Sequence, residues 1–175
     1  MHVNSYQIMA SLFTKFIVND GERYPYGGEL NILDVGSMDV RGSGSYRNLF
    51  TFEKMQQNWS YKGLDIAPGN NVHIVAEDPY HWPIPDASVD VVISGQCLEH
   101  VEAIWLWAKE VERICKPGGL FFIIVPFEHK LHRYPLDCWR FLPDGLNYLF
   151  CKHCSFECLE SDIVHMDTYL AGRKK

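Results

Sequence analysis

The chain has no run of about 18 apolar residues, so no membrane-spanning helix is expected. Its first residues lack the basic stretch, apolar core and small-residue cleavage site of a secretion signal. Positive charge is scarce: 16 Lys and Arg stand against 22 Asp and Glu, for a net charge of -6. That balance argues against non-specific nucleic-acid binding, which needs a basic footprint. The basic run Arg173-Lys174-Lys175 reads as a solvated tail. Internal repeats, linkers and low-complexity segments are absent. With no secretion signal beside them, the six cysteines read as free thiols of a reducing compartment, and a cytoplasmic location is expected. Cys151, His153, Cys154 and Cys158 lack a second ligand pair at zinc-finger spacing, so they read as packing residues and no metal is expected.

What is present is a globular composition, 47% hydrophobic over 175 residues, which suits one domain with a sizeable core. Apolar residues at helical spacing predict a helix over Ser5 to Val18. Short apolar runs predict strands at Leu30 to Val35, Trp59 to Ile66, Val72 to Ala76, Val89 to Ser94 and Leu120 to Val125. A second helix is expected over Leu98 to Cys115, stopped by Lys116-Pro117-Gly118-Gly119. A long aromatic and histidine-rich segment follows, then a helix over Leu142 to Phe150. Phe156 to Val164 and Thr168 to Arg173 are too close for a parallel crossover and should pair antiparallel. Strands alternating with helices predict an α/β fold, a Rossmann-like doubly wound sheet that is mostly parallel, with right-handed crossovers.

The first strand, Asn31-Ile32-Leu33-Asp34-Val35, carries an acid and is followed by Gly36-Ser37 at its carboxyl end. The second, Tyr61-Lys62-Gly63-Leu64-Asp65-Ile66, repeats the plan. Ligands of open α/β sheets bind outside the carboxyl ends of the strands. An acid on the second tip is placed to accept hydrogen bonds from a nucleoside ribose. A nicotinamide-type site would need glycine-x-glycine-x-x-glycine directly off the first strand, and Gly36 to Arg41 does not supply it.

The ordered set Leu33-Asp34-Val35-Gly36-Ser37, Gly63-Leu64-Asp65-Ile66, Trp82-Pro83-Ile84-Pro85-Asp86, Ser88 to Ser94, Cys97-Leu98-Glu99-His100-Val101 and Lys116-Pro117-Gly118-Gly119 resembles the class I S-adenosylmethionine-dependent methyltransferases, in the small single-domain, type 11-like form. His132-Arg133-Tyr134-Pro135 and Trp139 to Leu146 extend the likeness over nearly the whole chain. The resemblance implies a sheet of seven strands with the last antiparallel, helices on both faces, and S-adenosyl-L-methionine lying across the tips of strands one to four. It implies an N-terminal helix and lead-in over 1–29, a cofactor-binding core over 30–126, an acceptor loop and helix over 127–154, and a C-terminal hairpin over 155–175. Asp34, Gly36 and Ser37 would line the methionine end. Asp65, with Ile66 beside it, would take the ribose. Asp78 and Pro79 would meet the adenine edge, and Ser94 and Gln96 the amino-acid portion.

Two positions depart from the family pattern. The glycine turn keeps Gly36 but places Met38 where a second glycine is usual, and Pro79 has no N–H to offer the adenine ring. These departures keep a non-catalytic binding or scaffold protein of the same fold as the alternative function. Methyl transfer chiefly needs orientation. Where the acceptor proton must be removed, His100, His132 and Asp137 would serve. His129, Arg133 and Arg140 read as acceptor-binding residues, the Arg forks suiting an anionic sugar or nucleotide-sugar. Glu99 is expected to favour a helix start, where an acid meets the macrodipole. The acceptor side lacks a covering insertion, so another copy of the chain, a partner subunit or the N-terminal helix would complete it around a small-molecule acceptor.

Overall fold

The structure is a computed structural model that describes residues 3–20, 28–40, 42, 45–50 and 59–175. Its elements are α1 (Val3–Phe13), β1 (Leu30–Val35), β2 (Trp59–Asp65), β3 (Ile74–Val75), β4 (Val89–Gly95), α2 (Ile104–Ile114), β5 (Cys115–Pro126), α3 (Pro143–Asn147), β6 (Phe156–Val164) and β7 (Asp167–Lys174). Wider turns extend α1 through Val18 and α3 through Lys152. One sheet of seven strands runs in the order β3-β2-β1-β4-β5-β7-β6. All pairs from β3 to β5 are parallel, and β7 alone runs against its neighbours on both sides. This is the expected Rossmann-like sheet. The part of the glycine-rich loop at residues 41, 43 and 44 lies outside the described residues.

Alternation along the central strands divides the apolar residues between two faces. Leu120, Phe122 and Ile124 of β5 join Ile32 of β1 and Val91 and Ile93 of β4 under α1. Phe121, Ile123 and Val125 join Leu33, Val35 and Val92 under α2 and α3. Helix α2 fits its face because Trp107, Ala108, Val111 and Ile114 form one buried stripe at helical spacing. Helices therefore lie on both faces, as expected.

Three local expectations are corrected. The helix expected from Leu98 begins at Ile104; a 3₁₀ turn over Leu98–His100 and an extended Val101 come first. The carbonyl of Glu99 accepts the N–H groups of Cys138 and Trp139, and that of Val101 accepts the Trp139 indole N–H, so neither is available to a continuous helix. Lys116-Pro117-Gly118-Gly119, expected as a stop between elements, lies inside β5. Gly118 takes φ +74° there, and the pairing with β4 shifts register between Val89 and Val91, so the segment acts as a bulge. The third strand, expected over Val72 to Ala76, shrinks to Ile74–Val75. Val72 N–H closes a turn onto the Gly69 carbonyl instead.

The face under α3 is tied by aromatic packing. Phe121 is fully buried, with ring centroids 4.5 Å from Phe150 and 5.5 Å from Phe156. Phe121→Ala is expected to cost about 3–5 kcal/mol of stability, the range for opening a cavity at a core Phe. Urea unfolding would measure it; a loss below about 1 kcal/mol would show that α3 and β6 do not depend on this contact.

Candidate functional site

The site begins with the parallel register that sets Asp34 of β1 beside Gly63 of β2 at the carboxyl end of the sheet. Asp34 is 2% exposed, and its Oδ2 accepts the Tyr61 hydroxyl at 2.6 Å. Asn71 donates from Nδ2 to the Tyr61 oxygen and to the Ser37 carbonyl, and the Ser37 hydroxyl donates back to the Asn71 carbonyl. A chain of hydrogen bonds thus ties the loop after β1 to the loop before β3. Burial pushes the Asp34 carboxyl up to about 7; the Tyr61 hydrogen bond opposes the rise and the Asp65 charge adds to it.

Asp65 ends β2 with its carboxylate turned into the loop after β1. Oδ2 accepts the Met38 N–H at 3.0 Å, and Oδ1 accepts the Ile66 N–H at 2.8 Å. The Met38 side chain rests over Gly69. Beyond the tip, the Ile66 side chain is 56% exposed, an apolar surface beside an acid. Gly36 takes φ +76°, and a Cβ there would fall 2.3 Å from Cys97 Sγ, so glycine is required both by the backbone and by the packed thiol. Burial raises the Cys97 thiol well above its ordinary value, and the charges of Asp65, Glu99 and Asp34 add to it. Three acids from β1, β2 and the turn after β4 thus press on one half-buried cysteine.

The loop over residues 127–141, expected to meet the acceptor, folds back over the turn at Glu99. His100 and His132 stand with ring centroids 5.0 Å apart, and His129 lies 4.6 Å from His132. Tyr134 borders both His100 and His132. Burial holds the His132 imidazole below its ordinary value, against the pull of the Lys130 carbonyl and Asp137. Arg133 is exposed on the same loop.

Several of the expected site residues are held by local contacts. Asp137 does not suit a proton acceptor: the Arg140 guanidinium grips both of its oxygens, at 2.5 and 2.8 Å, and holds the carboxyl far below the usual carboxylate range. Arg140 is likewise occupied, donating also to the carbonyls of His129, Lys130 and Trp139. The pair is a clasp that shapes the loop. Ser94 is fully buried and donates to the Val35 carbonyl at 2.8 Å, joining β4 to β1 without reaching the tip surface. Gln96 sits at φ +59° and donates to Asp167 Oδ1, linking the β4 tip to the start of β7. Asp78 and Pro79 are exposed; Asp78 Oδ1 takes the Tyr80 N–H, and the Pro79 carbonyl takes the Trp82 indole N–H.

Sequence reasoning missed three residues. Tyr61, on Asp34, was read only as a strand residue. Tyr46 is buried with its hydroxyl against Gly95, where a Cβ would fall 2.0 Å from the Tyr oxygen, and it shares a hydrogen bond with Ser5 of α1. Glu99 was read as helix-favouring; its side chain is fully buried, and burial pushes its carboxyl up to about 8. A shallow cleft lined by Asn31, Ser60, Lys62 and Val89 opens near the strand starts, away from these residues.

Residues 33–123 of the chain match the family described as "Methyltransferase domain". A Mycolicibacterium smegmatis protein named as a probable S-adenosylmethionine-dependent methyltransferase is 36% identical over 66 residues, which are 38% of this chain and 23% of that protein. The chain thus spans under a quarter of this curated relative's length. The crystal structure of a SAM-dependent methyltransferase from Aquifex aeolicus superposes with a TM-score of 0.63 at 13% identity, covering 100% of both chains. A Burkholderia thailandensis 1,6-didemethyltoxoflavin-N1-methyltransferase, solved with 1,6-didemethyltoxoflavin and S-adenosylhomocysteine bound, superposes with a TM-score of 0.65 at 18% identity, covering 99% of this chain and 85% of that one.

The raised carboxyl of Asp34 fixes a pH dependence. Below about pH 4 it is protonated in both folded and unfolded chains, and nothing is lost. As pH rises toward 7 the unfolded chain releases the proton while the folded chain keeps it, so stability falls, by an order of 4 kcal/mol, and then levels. Tyr61, Asp65, Tyr46 and Cys97 face this carboxyl, and none offers it a positive charge at neutral pH. Glu99 adds a slope of the same sign. Asp34→Asn is expected to raise the melting temperature relative to the parent at pH 8 and to change it little at pH 4.5; an equal effect at both pH values would show that Asp34 is ionised throughout.

Proposed function

The chain belongs to the class I S-adenosylmethionine-dependent methyltransferase family, and we propose that it binds S-adenosyl-L-methionine at the β1, β2 and β4 tips and transfers its methyl group to a small-molecule acceptor. The observation that carries the reading is the pair of acids at neighbouring strand tips, Asp34 on β1 and Asp65 at the end of β2, with the tight turn at Gly36 between them. Acids at these tips suit a hydroxyl-rich nucleoside ligand. The cofactor supplies a methyl group already activated on a cationic sulfur. What the chain supplies is position and dryness, and orientation of this kind is worth about 7–11 kcal/mol of barrier.

The residues divide the work. Asp65 keeps a second lone pair on each oxygen after taking the two backbone N–H groups, and those lone pairs address the ribose hydroxyls. Ile66 lays an exposed apolar surface against the adenine, with Asp78 at its amino edge. Asp34, Gly36, Ser37 and the backbone at Gln96 border the methionine end. The loop over residues 127–141 is the acceptor wall, with His100 and His132 facing the acceptor's reacting atom and His129 and Arg133 flanking it. The exposed Arg133 fork favours an anionic acceptor such as a sugar acid, phosphosugar or nucleotide-sugar. The non-catalytic alternative draws on the adenine edge, where Pro79 has no N–H and the Tyr80 N–H is turned to Asp78.

Two measurements test the reading. Calorimetric titration with S-adenosylhomocysteine is expected to give micromolar binding by the parent and about 10-fold to 100-fold weaker binding by Asp65→Ala, as expected for lost hydrogen bonds to a charged group. Asp65→Asn, which keeps the side-chain shape, guards against loop collapse. Absence of binding by the parent up to millimolar ligand would favour the non-catalytic protein. For the acceptor, Arg133→Ala is expected to raise KM for an anionic acceptor and leave kcat within about twofold, the signature of lost ground-state binding; unchanged KM would remove Arg133 from the site.

A further inference from the structure

At the turn after β4, one carboxyl and two imidazoles converge. Glu99 Oε1 lies 3.6 Å from His100 Nε2 and 3.9 Å from His132 Nε2. One ligand atom from each of these three residues lies within 4.8 Å of the other two. The Glu99 side chain is completely covered, and neither of its oxygens has a hydrogen-bond partner. A buried carboxylate in that state is costly unless a cation or proton joins it.

The imidazoles do not fill the gap by hydrogen bonding. His100 Nδ1 is 2.6 Å from the Leu136 carbonyl, and His132 Nδ1 is 3.2 Å from the Lys130 carbonyl and 3.4 Å from Asp137 Oδ2. Carbonyls and carboxylates only accept, so each Nδ1 carries an N–H, and each Nε2 is left facing Glu99. At 3.6 and 3.9 Å, neither Nε2 contact is a hydrogen bond in any protonation state. The spacing suits an ion instead. A tetrahedral centre with bonds of about 2.0–2.2 Å places its ligands roughly 3.3–3.5 Å apart, a few tenths of an ångström closer than the two Glu99–imidazole contacts stand, so the rings would draw in on binding.

The surroundings are those of a supported ligand set. A metal-bound imidazole commonly gives its other N–H to a carbonyl or carboxylate that fixes the ring. Here the Leu136 carbonyl does so for His100, and the Lys130 carbonyl and Asp137 for His132. Asp137 is itself fixed by Arg140 and by the backbone N–H of His132 at 2.8 Å. The Asp137–Arg140 clasp, unsuited to proton transfer, gains a purpose as the frame that aims His132.

We propose that Glu99, His100 and His132 bind one divalent transition-metal ion of the zinc class, leaving at least one coordination position open toward the acceptor loop. Three protein ligands with an open position is the arrangement of metal sites that engage a substrate. The use of the ion rests on the methyl-transfer reading. An acceptor hydroxyl takes the open position and loses its proton to solvent more readily. Its oxygen then donates an electron pair to the methyl carbon as the carbon–sulfur pair withdraws onto sulfur, leaving a methyl ether and a neutral thioether. The acceptor class that follows is an alcohol able to reach the ion, one with an adjacent carboxylate or second hydroxyl above all.

The test needs neither cofactor nor acceptor. The full chain, stripped with a chelator and dialysed, is titrated with Co²⁺ by visible absorption and with Zn²⁺ by calorimetry. One ion per chain is expected, with the visible bands of nitrogen- and oxygen-bound cobalt. Glu99→Gln and His132→Ala are expected to weaken binding by more than the roughly 10- to 100-fold that loss of an outer-shell partner costs, while Cys154→Ser and His153→Ala leave it unchanged. Circular dichroism checks each variant for folding, and His100→Ala, at a half-buried position, decides the matter if Glu99→Gln unfolds. Absent stoichiometric binding would overturn the site. So would full affinity in the Glu99 and His132 variants, or an intense sulfur-to-cobalt band placing the ion on the thiols. S-adenosylhomocysteine titration of the same stripped sample separates the two ideas: metal binding without nucleoside binding refutes only methyl transfer, and the reverse refutes only the ion.

Discussion

Carboxyl groups removed from water are the constraint on which the tip of this sheet depends. Asp34 and Glu99 are both buried, and both carboxyls are displaced toward the protonated form. Asp34 is partly relieved by Tyr61, whose hydroxyl is in turn held by Asn71. Glu99 has no side-chain partner of that kind, and the Arg140 charge offsets its burial only in part. The cost is met by the rest of the sheet, where β4 and β5 carry apolar side chains on both faces. Strain of this kind persists when the surroundings over-determine it, and it concentrates where a ligand will be held. The apolar core and the polar tip are therefore one design: the first makes the second affordable in free energy and fixes its geometry.

The same dependence explains the loop over residues 127–141. It has no regular structure, yet backbone bonds from Cys138 and Trp139 to Glu99 and the Asp137–Arg140 clasp define it. Its histidines are presented by a framework of carbonyls and do not dangle from a mobile tether. His132 packs against both His100 and His129 beside the buried Glu99 carboxyl.

Much of the fold was legible because the central strands announce themselves. Leu30 to Val35 and Val89 to Ser94 are short apolar runs bounded by breakers, and both became strands at nearly the expected limits. The closing antiparallel pair followed from connection length alone. Misreadings came where a local signal was overruled from far away. Pro117-Gly118-Gly119 reads as a stop, but pairing with β4 keeps the segment in the strand, and a single positive φ at Gly118 absorbs the mismatch. The turn at Glu99 reads as a helix start, but its carbonyl is taken by residues nearly 40 positions later. In the site, Asp34 and Asp65 were visible because strand tips are positions set by pattern. Asp137 and Arg140 were visible as charges but not as partners, since three-residue spacing in an irregular loop implies no contact. Ser94 was one residue too deep. Nothing in local sequence tells that Glu99 is buried, because the segment that covers it lies across a whole β-strand.

The antiparallel strand β7 lies between β5 and β6, and its start meets the tip: Gln96 bonds to Asp167, Phe127 N–H to the Met166 carbonyl, and the Thr168 hydroxyl to the Phe141 carbonyl. The loop over residues 127–141 is thus anchored from the start of β7. Strand β5 keeps an open edge until β7 pairs with it. Loss of that pairing would release the loop while the β1 and β2 tips stay paired, so the two sides of the tip come apart in separate steps.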